Sequence, residues 1–103
     1  MPGTSESTDP HTAIVQPEGD LVAGRLPVFR SRLRELVASG VLHLMVDLTG
    51  VQSVDSAGIG LLVAAHNSLK KSGGELAVIH ASRDILDLLR TMRIHQHFNI
   101  SGG

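Results

Sequence analysis

The chain has 103 residues, 42% of them hydrophobic, which suffices for one compact domain with a real core and leaves no room for a second. Nine Lys plus Arg stand against ten Asp plus Glu, so there is no general electrostatic pull toward nucleic acid or acidic lipid. The absence of cysteine excludes disulfides and cysteine zinc sites. Met1 to Asp9 lacks the basic and apolar regions of a leader, and no apolar run is long enough to span a bilayer, so the expectation is a cytoplasmic protein without direct membrane contact.

Residues 1–10 are rich in Pro, Gly, Ser and Thr without periodicity, and predict a flexible tail or at best an irregular edge strand, with the domain occupying 11–103. Thr12 to Gln16 is short and β-branched and reads as a strand. Pro17 and Glu18-Gly19-Asp20 then turn the chain into Leu21-Val22. Leu26, Phe29, Leu33, Leu36 and Val37 recur at helical spacing, with Pro27 tolerable in the first turn and Ser39-Gly40 as the stop. Val41 to Leu48 is almost continuously apolar, as expected of a central strand covered on both faces, and Thr49 to Ser53 forms its loop. Ser56 to Ser72 predicts a second helix, carrying Ile59, Leu62, Val63 and Leu69 on one face and ending at Gly73-Gly74. Leu76 to Ile79 is a further strand. Ser82 caps a third helix reaching Met92, with a stripe of Ile85, Leu86, Leu89 and Met92, and Phe98 to Ile100 closes the series as a short strand.

Strands alternating with helices from residue 41 onward imply right-handed crossovers and a mainly parallel α/β sheet flanked by helices. Sites in such sheets form at the carboxyl ends of the strands. The run Val54-Asp55-Ser56-Ala57-Gly58-Ile59-Gly60-Leu61-Leu62 lies there, where the central strand and its loop give way to a helix. The first amides of a helix are unpartnered and carry the positive end of its dipole, so Ser56 reads both as a cap and as a seat for a phosphate.

The apolar strand, the loop LTGVQSV, the helix start DSAGIGLL and Lys70-Lys71-Ser72-Gly73-Gly74 before the next strand together resemble the STAS domain of bacterial anti-sigma factor antagonists, over roughly Thr12 to Ile100. The resemblance implies a STAS fold and partner switching. Ser56 matches the serine that a partner, at once anti-sigma factor and serine kinase of the switch-kinase type, phosphorylates, and that a PP2C-type phosphatase restores. Asp55, Ser56, Ala57, Gly58, Ile59 and Gly60 are the matching partner-binding run. An alternative within the family is a scaffold subunit of a transporter or other signalling complex without sigma-factor control. Three departures stand out: members have a strand before Thr12, where this chain offers only its polar tail; Gly19-Asp20-Leu21 is followed by Val22 where members commonly carry an acid; and the chain stops at Gly103, which truncates the usual C-terminal helix. An exposed sheet edge could then be covered in a homodimer.

Rival chemistries find less support. Asp47 or Asp55 as a receiver-type phosphoacceptor lacks the acidic pair and the lysine that such a site needs. Gly58-x-Gly60 has no third glycine and no Gly-Lys-Ser/Thr, so nucleotide binding is not expected, and no cofactor is implied. A Ser-His-Asp hydrolase fails because Asp55 adjoins Ser56, so no catalytic residue is assigned. His95 and His97 would share a face only on a strand and have no further ligand, so no metal is expected. His66 lies beside the apolar face of the second helix, where partial burial is expected. Arg25, Arg30, Arg32 and Arg34 crowd the first helix, by default as a solvated face or else toward an acidic partner.

Overall fold

A computed structural model describes residues 4–5 and 10–102. Strand β1 (Thr4–Ser5) leads to β2 (Thr12–Val15), α1 (Leu26–Ala38), β3 (His43–Asp47), α2 (Ser56–Lys71), β4 (Glu75–Ala81), α3 (Arg83–Thr91) and β5 (Asn99–Gly102). Short 3-10 turns occupy Ala23–Arg25 and Ile94–Gln96. The sheet order is β1-β2-β3-β4-β5, antiparallel at the β1 edge and parallel elsewhere. Thr4–Ser5 thus takes the edge-strand option left open for the tail and supplies a strand before Thr12. The rest of the expected flexible tail, apart from Pro10, lies outside the described residues.

The parallel strands step one way across the sheet. Crossovers of a single hand then place every connecting helix on the same face. Burial follows this asymmetry. The rows Ala13–Leu44–Leu76 and Val15–Val46–Val78 share one core with Phe29 and Leu33 of α1, Ile59 and Leu62 of α2, and Ile85 and Leu89 of α3. The intervening row Ile14–Met45–Ala77 is only half-buried and lies outside that core. The expectation that the central strand is covered on both faces is therefore corrected: in β3, His43 is exposed, Met45 and Asp47 are half-buried, and only Leu44 and Val46 are fully enclosed. A continuous apolar run cannot reveal which face is covered, because alternation is its only mark of asymmetry.

The helices begin and end where their local chemistry requires. Pro27 sits in the first turn of α1. Gly73, just past the end of α2, adopts φ +81°, a left-handed conformation that disfavours other residues. Ser82 caps α3 through its hydroxyl, which accepts the Ile85 amide at 3.3 Å. Ile85 and Leu89 are buried as the stripe requires, but Met92 is 46% exposed because α3 ends at Thr91.

His66 is buried more fully than expected, at 5% exposure, on the core side of α2. Its Nδ1 accepts the Leu76 amide at 3.2 Å, and its ring stacks at a tilt on Phe98 with centroids 5.3 Å apart. The neutral imidazole thus ties α2 to β4. Burial, helped by the charge of Lys70, holds its pKa below the ordinary histidine value.

Stability should consequently fall with pH in a defined window. Above about pH 6.5 His66 is neutral whether the chain is folded or not; as pH drops below that, the unfolded chain binds a proton first, and stability declines until the lower folded pKa is passed. The urea midpoint should decrease between about pH 7.5 and about pH 5. His66→Gln, which retains an acceptor without titrating, should flatten that decline; an unchanged slope in the variant would assign it to other groups.

Candidate functional site

The helix start at residues 55–60 is held by a set of contacts to the segment that precedes α1. Leu21 forms an isolated parallel bridge with Val54, its amide donating to the Ser53 carbonyl at 3.0 Å and its carbonyl accepting the Asp55 amide at 3.1 Å. Asp20 Oδ1 accepts the Gln52 amide at 2.9 Å. Asp55 completes the arrangement with both carboxylate oxygens: Oδ1 accepts the Gly58 amide at 2.9 Å and Oδ2 the Ala23 amide at 3.0 Å. One side chain thereby caps α2 and fastens it to residues 32 positions away. The Gly58 and Ala23 amides hold its carboxyl below the usual carboxylate range.

The cap is therefore Asp55, and the reading of Ser56 as the cap is corrected. Asp55 has the extended backbone of an N-cap, whereas Ser56 is already the first helical residue, exposed, with its hydroxyl hydrogen-bonded to no described residue. A carboxylate accepts from an N-terminal amide as well as a hydroxyl does, so sequence spacing alone does not choose between neighbours.

The structure divides the six-residue run. Ser56, Ala57 and Gly60 are exposed and Asp55 is half-exposed, but Gly58 and Ile59 are buried. Gly58 packs on the Leu21 backbone, where a Cβ would overlap the Leu21 carbonyl oxygen. Gly60 faces open space. The absent side chain at Gly58 thus serves contact within the domain, and the outward surface consists of Ser56, Ala57 and Gly60 beside Asp55.

At the neighbouring strand ends, Asp47 Oδ1 accepts the Thr49 amide at 2.9 Å and the Thr49 hydroxyl at 2.6 Å, and pairs with His80 Nδ1 at 3.0 Å. Burial pushes the Asp47 carboxyl up, but the Thr49 and His80 contacts outweigh it and hold it below its usual range. This cluster, absent from the sequence reading, depends on a pair 33 residues apart and on His80 adopting φ +57° at the end of β4. It closes the β3 loop and makes no hydrogen bond to Ser56. His95-Gln96-His97 falls at a 3-10 turn rather than on a strand, so the alternation that would align its rings is missing. Arg25, Arg30, Arg32 and Arg34 pair with no carboxylate among the described residues, where His80–Asp47 is the one ion pair. No helix among those residues is long and apolar enough to cross a membrane.

The family model of the STAS domain matches residues 5–102. Among solved structures, a candidate anti-sigma factor antagonist from Thermotoga maritima aligns with a TM-score of 0.87 at 19% identity, covering 97% of this chain and 85% of that one. The anti-sigma factor antagonist SpoIIAA in its unphosphorylated form aligns with a TM-score of 0.72 at 15% identity, covering 97% and 87% respectively. SpoIIAA of Bacillus in its phosphorylated form gives 0.71 at 15% identity, covering 94% and 89%.

The two glycines of the helix start should respond oppositely to the same substitution. Gly58→Ala should cost about 1–3 kcal/mol in denaturant unfolding, because the added methyl must displace the Leu21 backbone. Gly60→Ala adds a methyl into open space within a helix and should be neutral or stabilising by up to about 1 kcal/mol. Equal effects would show that the Leu21 contact does not constrain the helix start.

Proposed function

The chain belongs to the STAS domain family, and we propose that within it this protein is an anti-sigma factor antagonist that works by partner switching. In this reading it binds an anti-sigma factor that is also a serine kinase while Ser56 is unmodified, and releases it once Ser56 carries a phosphate. A PP2C-type phosphatase resets the switch. The catalytic groups belong to those partners: the kinase transfers the γ-phosphoryl of ATP to Ser56 Oγ, which loses its proton.

The observation that carries this reading is the separation of roles between adjacent residues. Asp55 anchors the helix, and Ser56 stands exposed at its first position with its hydroxyl bonded to none of the described residues. Modification therefore removes no contact that the fold uses. A phosphoserine adds about 1.5 to 2 negative charges and three acceptor oxygens. The positive end of α2 offsets part of that charge, while the Asp55 carboxylate opposes it. Inside the domain these effects act at an exposed position in water, so the cost is small. Against a packed partner they act in a desolvated contact, where steric exclusion and an uncompensated dianion lower affinity by orders of magnitude. The existence of SpoIIAA, a protein of the same fold, in unphosphorylated and phosphorylated forms accords with such a switch.

The decisive experiment incubates the protein with a candidate switch-type serine kinase and ATP, and maps the modified residue by mass spectrometry. Modification at Ser56 is expected; modification elsewhere, or none by an active kinase, refutes the assignment. In binding assays, Ser56→Ala should retain the anti-sigma factor and Ser56→Asp should weaken capture by about tenfold or more, equivalent to at least about 1.4 kcal/mol. Both variants should keep the thermal midpoint of the unmodified protein within about 2 °C, since neither position nor charge is used by the core.

A further inference from the structure

Two features on different flanks of the domain have complementary chemistry. Between α1 and α2 runs an open cleft of ≈ 320 Å³ whose apolar surface comes from Leu33, Val37, Leu61, Ala64 and Ala65. Arg30 and Arg34 border it one helical turn apart, both exposed and without a carboxylate partner among the described residues. Such a cleft calls for an occupant that is apolar along its ridge and acidic at its side. The outer face of α3 has that character. Leu88 is 36% and Met92 46% exposed, and Asp84, Leu88 and Met92 follow one another at four-residue intervals with Asp87 alongside. Asp84 has no Lys or Arg three or four residues from it, whereas Asp87 has Arg83 and Arg90 at those spacings, neither within ion-pair distance of it. The other large exposed hydrophobic, Val28, has Arg32 rather than an acid one turn on.

We propose that this chain self-associates by seating the Leu88–Met92 ridge of one copy in the α1–α2 cleft of another, with Asp84 and Asp87 opposite Arg30 and Arg34. Since α3 packs over β4 and β5, its ridge cannot reach the cleft of its own domain, and the contact joins two molecules. Cleft and ridge are different surfaces, so the interface is heterologous: each copy offers one of each, and association continues head to tail until a ring closes or a partner caps it. A single ridge in a single cleft buries less than a standard stable interface, which makes the association weak and concentration-dependent. This inference does not rest on the phosphorylation switch.

Sedimentation of the full chain at low salt, from about 10 μM to about 1 mM, tests it. The average mass of the unmodified protein should rise with concentration and fall back when salt is raised to about 1 M. Arg30→Glu/Arg34→Glu, which spoils the cleft, and Met92→Glu, which spoils the ridge, should each remain monomeric. Mixed in equal amounts they should form a 1:1 dimer that grows no further, because the first variant keeps its ridge and the second its cleft. Circular dichroism verifies folding; should Met92→Glu fail to fold, Asp84→Asn/Asp87→Asn takes its place. A monomer at every concentration, association that both variants preserve, as pairing through a sheet edge would give, or failure of the mixed variants to pair overturns the proposal.

Discussion

The Asp55 carboxylate makes two hydrogen bonds that do different work. Through Oδ1 it satisfies an amide at the start of α2, and through Oδ2 it holds Ala23, at the entry to α1. The Leu21–Val54 bridge and the Asp20–Gln52 contact reinforce the same junction, and Gly58 allows the helix to approach the Leu21 backbone. The position of Ser56, Ala57 and Gly60 depends on that fastening. Of these amides that of Gly58 is part-buried, so it is the one that would carry a desolvation cost if left unpartnered.

From this junction follows a separation between the residue that anchors the helix and the one proposed to be modified. Had Ser56 supplied the cap, a phosphate there would have exchanged one contact of the fold for another, and the domain itself would have changed with modification. With Asp55 as the cap, the proposed phosphate at Ser56 alters the surface alone. The architecture supports the same economy. Because the parallel strands advance in one direction, the sheet has no reversal of strand order, and the hollows at its carboxyl end are open ones between neighbouring loops, Leu48–Val51 with His80–Ser82 and Gln16–Gly19 with Thr49–Val51. What lies there is a surface of loops and one helix start.

Much of the fold was legible because it depends on local rules. The helical spacing of Leu26, Phe29 and Leu33, Pro27 in a first turn, Gly73 after α2 and Ser82 before α3 each act within a few residues, and the elements formed as those signals predict. The edge strand at Thr4–Ser5 was less legible, since its pairing with β2 comes from the sheet rather than from its own composition. The one-sided cover of β3 was hidden for a related reason: Met45 is as apolar as Leu44, and only the path of the crossovers decides which of them meets the helices.

The sequence by itself determined the alternation of strands and helices, the family pattern and the location of the serine and aspartate at a helix start. Only the tertiary structure decided which of those two side chains is the anchor, which residues of the 55–60 run face outward, and that Asp47 is engaged by Thr49 and His80. The physical reason is separation along the chain. Asp55 with Ala23, Gly58 with Leu21 and Asp47 with His80 meet across 32, 37 and 33 positions, through contacts that no local propensity encodes.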